Sequence, residues 1–129
     1  MRLPGARLMR VVGQSMQPAL NPGDLVFIST RAYRKRAPIQ GEVVAACPVS
    51  CQGRVIIKRL AGLPEDSLTV DGSTYQLKEG EYFLLGDASI ESTDSRSFGP
   101  VRYSELIGPV TRCVWPWRLL ATQRCQSSP

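Results

Sequence analysis

The chain has no histidine, and this absence alone removes the Ser-His-Asp triad, the Cys-His dyad and every metal site built on imidazole. Acid–base chemistry then falls to Lys, Asp, Glu, Tyr or Cys, each of which needs a perturbed pKa to act near neutrality. Long apolar runs are missing too. The longest uninterrupted one is Val43 to Cys47, against the roughly 18 to 20 residues that cross a bilayer. We therefore expect no integral membrane anchor, and no secretory signal ahead of the first motif. Extended helical periodicity, internal repeats and low-complexity segments are likewise absent.

What is present fits one globular domain over residues 1–129, with a core spanning about 8–118 and a polar tail at 123–129 that is expected to fray. The 43% hydrophobic and 21% charged composition excludes disorder, collagen and coiled coil. A chain of this size buries roughly two-thirds of its unfolded surface and needs neither disulfides nor a metal to hold a core. Eleven Gly and ten Pro favour many short strands over a helix bundle.

Sixteen basic residues against eleven acidic ones give +5. The excess sits in the first ten residues and in Arg31, Arg34, Lys35 and Arg36, which reads as a solvated loop, so no nucleic-acid partner is expected. Cys47, Cys51, Cys113 and Cys125 allow three pairings. A zinc site at the Cys47/Cys51 pair would need two more ligands at matching spacing, so we expect no metal and no cofactor. Reduced thiols packing as small hydrophobes are the simpler reading, and a redox or loop-closing disulfide is the other.

Along the chain, Leu8 to Val12 reads as a strand leading into Gly13, Asn21-Pro22-Gly23-Asp24 as a turn, and Leu25 to Ser29 as a strand. Gly41 to Ala46, Val55 to Ile57 and Glu81 to Leu85 are further β-type runs. Asp71-Gly72 between Leu68-Thr69-Val70 and Tyr75-Gln76-Leu77 predicts a hairpin. Strand-like pieces follow from Val101 to Val114. The fold class is mainly β, a complex fold of short strands.

Three segments carry chemistry: Gly13-Gln14-Ser15-Met16-Gln17-Pro18-Ala19-Leu20, Ile57-Lys58-Arg59-Leu60-Ala61-Gly62-Leu63-Pro64, and Gly86-Asp87 through Ser92-Thr93-Asp94-Ser95-Arg96 to Gly99-Pro100. Alone, Ser15 is a loop serine. Lys58 at the end of a β-branched run either snorkels to solvent or is buried and loses its proton readily. Residues 86–99 read by default as a surface loop held by an Asp94–Arg96 ion pair.

Together, in order and spacing, the segments resemble the type I signal peptidase family of serine proteases over most of residues 10–110. Ala19, Glu65 and Ala88 depart from that family's pattern, and Ala88 bears on the local turn. The resemblance implies a signal-peptidase-like fold, Ser15 as nucleophile, Lys58 as general base, Ser92 orienting the lysine amine, and an Asp94–Arg96 salt bridge holding the loop. It implies an oxyanion hole at the Ser15 N–H, with Gly13 where some members carry a hydroxyl donor. With no histidine available, a desolvated neutral lysine is also the natural base on chemical grounds.

The short, anchorless chain is most similar to the maturation proteases of nickel-type superoxide dismutase. That similarity implies a cytoplasmic enzyme whose partner is a precursor protein carrying an N-terminal propeptide. A leader peptidase cleaving secretory preproteins, peripheral at a membrane, is the alternative. Trp115 and Trp117 beside Arg118 would then seat it on the interface; otherwise they close the core or form a subunit contact. A self-cleaving repressor needs a helix-turn-helix ahead of Ser15, for which fourteen residues leave no room. A non-catalytic binding module is the remaining class.

Overall fold

Alternation of inward and outward side chains governs the fold. The computed structural model describes residues 2–3, 5–88 and 93–123. Its strands are β1 (Arg2–Leu3), β2 (Ala6–Arg10), β3 (Leu25–Ser29), β4 (Val43–Ala46), β5 (Ile56–Gly62), β6 (Ser67–Val70), β7 (Ser73–Gln76), β8 (Glu81–Leu85), β9 (Val101–Arg102), β10 (Leu106–Trp115) and β11 (Trp117–Leu119), with one short helix, α1 (Ser95–Phe98). The fold is mainly β, as expected. Nine strands form one curled antiparallel sheet in the order β1-β2-β3-β10-β4-β5-β8-β9, with β11 on β10; β6 and β7 pair separately.

In β3, Val26 and Ile28 point inward while Leu25, Phe27 and Ser29 stay half-exposed, the period-2 signature of a sheet with one covered face. All four residues of β4 are buried. Val43 and Ala45 face one cluster with Met16, Leu20, Val26 and Ile28, while Val44 and Ala46 face a second with Leu60, Tyr82 and Leu84. A central strand with cores on both sides reads as the continuous apolar run seen in the sequence.

β10 closes the sheet by pairing with two strands in succession. Leu106 to Pro109 run along β4, and Val110 to Trp115 run along β3, with register shifts on both sides of the changeover, at Leu106/Gly108 and Val110/Arg112, and again at Cys113/Trp115. Gly108 sits there because a Cβ would lie 1.8 Å from the Ser29 carbonyl oxygen. The β6–β7 hairpin turns through Asp71 and Gly72, both at positive φ, the primed-turn geometry that suits strand twist.

The structure extends two expectations. The Val55–Ile57 run continues as β5 through Gly62, carrying Lys58 and Arg59 inside the sheet, and the strand-like pieces from Val101 are β9, a 3₁₀ turn at Tyr103–Glu105 and β10, which runs ten residues from Leu106 to Trp115. Trp115 and Trp117 do not close the core: they are 69% and 64% exposed. The reason is geometric. Trp115 pairs with Leu25 at the first residue of β3, so the turn into β11 projects past the last packed row. In the basic segment Arg31, Arg34 and Lys35 are exposed around a 3₁₀ turn, whereas Arg36 is paired with Glu42.

Cys113 is buried in the first core cluster, and Cys47 and Cys51 are free and half-buried. Cys125, Ser92 and the tail beyond Gln123 lie outside the described residues.

Candidate active site

Ser15 follows the end of β2 on a loop fixed by its own neighbours. Met16 and Leu20 are buried in the first core cluster, each contributing about 2 kcal/mol of burial, and the Leu20 amide donates to the Met16 carbonyl at 2.9 Å. Gly13, two residues before the serine, has φ +83°, a conformation that L side chains rarely adopt. The loop is tied from the far side by Arg118, which donates to the Ala19 carbonyl at 2.8 Å and to the Asp24 carboxylate.

Lys58 sits in β5 opposite Val44 and is 5% exposed. Its Nζ lies 2.8 Å from Ser15 Oγ in a hydrogen bond. Burial holds the lysine pKa below its ordinary value; Arg96 adds to that effect, while Asp94 and Cys51 oppose it. Of the two readings of this side chain, buried and snorkelling, the structure has the first.

The third segment folds over the pair. Asp94, fully buried, caps α1: its carboxylate accepts from the Gly86 amide at 2.9 Å, the Arg96 amide at 3.1 Å, and the Arg96 guanidinium at 2.7 and 3.0 Å. The same guanidinium reaches Asp71 in the β6–β7 turn at 2.8 Å. The Ala88 amide donates to the Ser15 carbonyl at 2.8 Å. That bond is made by main chain, so Ala88 serves it as well as an asparagine would.

One pair went unassigned in the sequence. Arg59 follows Lys58 and so points to the opposite face of β5. It is buried and holds Asp87 through two hydrogen bonds, at 3.1 and 2.6 Å, while its other nitrogen donates to the Gly41 and Ala121 carbonyls. The signal was legible: an arginine inside a buried run demands a carboxylate. Arg59 pairs with Leu85, which puts the Asp87 of the Gly-Asp motif two residues along the same face.

A groove of about 320 Å³ runs from Ser15 and Lys58 between Met9 and residues 11–14 on one wall and Arg54, Ile56 and Ile57 on the other. β5 pairs with β4 through Ile56–Lys58 but with β8 only from Arg59 onward, which leaves the 56–58 edge facing the groove. β8, which runs toward Leu84, offers no second edge to this groove. β8 is covered, because β5 and β9 flank it and the Leu84 amide donates to Ser95 Oγ at 2.9 Å. Among the described residues, none accepts a hydrogen bond from the Ser15 amide, which adjoins this groove.

Against known proteins, the family model described as signal peptidase, peptidase S26, matches residues 2–75 and 69–115, and the chain belongs to that family of peptidases. It is 33% identical over 135 residues to the mitochondrial inner membrane protease subunit 2 of Mus musculus, covering 93% of this chain and 77% of that protein. It is 36% identical over 115 residues to the mitochondrial ATP-independent inner membrane protease subunit 1a of Arabidopsis thaliana, covering 82% and 68%. With the mitochondrial inner membrane protease subunit 1 of Schizosaccharomyces pombe the identity is 32% over 110 residues, covering 81% and 70%.

Proposed function

We propose that the chain is a serine endopeptidase in which Ser15 is the nucleophile and Lys58 the general base, and that it acts on precursor proteins in the manner of a leader peptidase. The observation that carries the reading is the 2.8 Å approach of the buried Lys58 Nζ to the half-buried Ser15 Oγ at the groove. Neutral Lys58 takes the hydroxyl proton as Ser15 Oγ attacks the scissile carbonyl carbon. The Ser15 amide donates to the developing oxyanion, beside the open backbone of Gly13. Lys58 then protonates the departing amine and an acyl-serine remains; neutral again, Lys58 Nζ deprotonates the water that attacks the acyl carbon and returns the proton to Ser15 Oγ as the acid leaves. Ser92 orients the amine, and the Asp94–Arg96 pair with Arg59–Asp87 holds the surrounding loops.

The residues before the cut lie in the groove as an added strand between residues 12–14 and the 56–58 edge of β5. The relatives are named as membrane proteases, which favours a leader peptidase over a maturation protease of nickel-type superoxide dismutase. Among the described residues no helix is long and apolar enough to cross a membrane. Trp115 and Trp117, exposed beside Arg118, support a seat at a membrane interface, where tryptophan prefers to lie, rather than the cytoplasmic location the dismutase reading implies.

The test offers the purified protein two substrates, a leader-bearing preprotein with anionic vesicles and a nickel superoxide dismutase precursor. Single-site cutting of the preprotein with no action on the other is expected. Cutting of the dismutase precursor alone moves the assignment to propeptide maturation, and cutting of neither, with no acylation of Ser15 by a serine-directed reagent, overturns the peptidase reading.

A further inference from the structure

The catalytic reading leaves one charged residue of the groove unused. Arg54 lines the wall that leads to Lys58 and is exposed. Among the described residues, Arg36, Arg59, Arg96 and Arg118 each hold a carboxylate; Arg54 forms no such pair. No carboxylate lines the groove among the described residues, whose other walls are largely apolar. The loop carrying Arg54 is fixed at its base: its amide donates to the Cys51 carbonyl at 3.1 Å, and the Cys47 and Val49 amides donate to Glu105 at 2.8 and 2.7 Å. A cation presented from an anchored loop, beside apolar walls and without a counter-charge among the described residues, favours a carboxylate on whatever fills the groove and disfavours a second cation.

Spacing says where along the substrate that carboxylate lies. Arg54 precedes the first residue of β5 by two and Lys58 by four, so it lies at most about 13 Å from Lys58 along the chain at roughly 3.3 Å per residue. A substrate strand on the same edge, cut at Ser15, therefore brings its residue about four from the scissile bond opposite the guanidinium. We propose that Arg54 is a specificity-determining residue that selects an aspartate or glutamate about four residues before the cut, a reading that rests on the groove seating the residues that precede the scissile bond.

The experiment uses three peptides, identical except for Asp, Asn or Lys at that position, and a second set in which the Asp is stepped one residue to either side. Wild-type protein should cut in the order Asp, Asn, Lys, with kcat/KM for Asp about twofold to fivefold above Lys at low salt, a ratio typical of an exposed pair and compressed by added salt. The preference should peak in one register. Arg54→Gln should flatten the ratio and Arg54→Glu should reverse it, with circular dichroism unchanged in both. An Asp-to-Lys ratio that stays the same in Arg54→Glu overturns the role of Arg54 alone. If wild-type protein cuts none of the peptides, the peptidase reading falls and this one with it.

Discussion

Arg59 and Asp87 form a two-point ion pair, at 2.6 and 3.1 Å, on the face of β5 opposite Lys58. The same strand thus presents a lysine to the groove and anchors the loop behind the groove with its next residue. Removing one partner of a buried pair strands the other charge. Asp87→Asn should therefore lower unfolding free energy by about 3 kcal/mol, measured by urea denaturation, while Arg59→Lys, which cannot form the fork, should lose a large part of the same amount. A change within experimental error in both would mean the pair does not hold the loop.

The lysine was legible in the sequence as a candidate, because a cation after three β-branched residues has either to reach solvent or to be buried. Its partner was legible only through resemblance, since Ser15 alone is a loop serine and nothing in residues 13–20 says which strand it will face. The turn at 21–24, strands β3 and β8 and the Asp-Gly hairpin followed from local chemistry. What local chemistry does not carry is the changeover in β10 from β4 to β3, which depends on the backbone approach at Gly108, and the exposure of Trp115 and Trp117, which depends on where β3 begins. The covered edge of β8 is likewise set by Ser95, a residue that reaches it from another segment.

Gly13 should not tolerate a side chain, although space is open around it. Its φ of +83° makes Gly13→Ala cost about 1–2 kcal/mol through the backbone. The cost falls on the turn that aims the Ser15 amide, so kcat should drop more than KM rises. A variant with unchanged kcat would show that the amide is not used in the transition state.

Met16 is buried beneath the serine loop. Met16→Ala should cost about 2–4 kcal/mol and, at temperatures where the variant remains folded, slow cleavage by loosening Ser15 against Lys58. Met16→Leu, close in volume, should restore most of both. Lost activity in Met16→Leu with stability intact would point to a direct role for the thioether.

The lysine should leave a mark on stability as well as on activity. Its folded pKa lies below the ordinary value of 10.5, so between the two values the unfolded chain binds the extra proton and stability rises with pH. That contribution is fully present above 10.5 and lost as pH falls through the lowered value. Relative to Lys58→Met, wild-type unfolding free energy should climb across this window and run parallel below it. A constant difference at every pH would mean Lys58 titrates as it does in the unfolded chain.

Lys58 takes the proton of Ser15 in this mechanism, and the pH profile of peptide cleavage by wild type and Lys58→Ala decides whether it does. Wild-type kcat/KM should rise as the lysine deprotonates, with an acidic limb below 10.5. Lys58→Ala should lose that limb and fall by about 10³-fold or more near neutrality, within the range expected when a general base is removed and its serine left unactivated. Retention of turnover within about tenfold, with the limb still in place, would contradict the account and put the general base elsewhere.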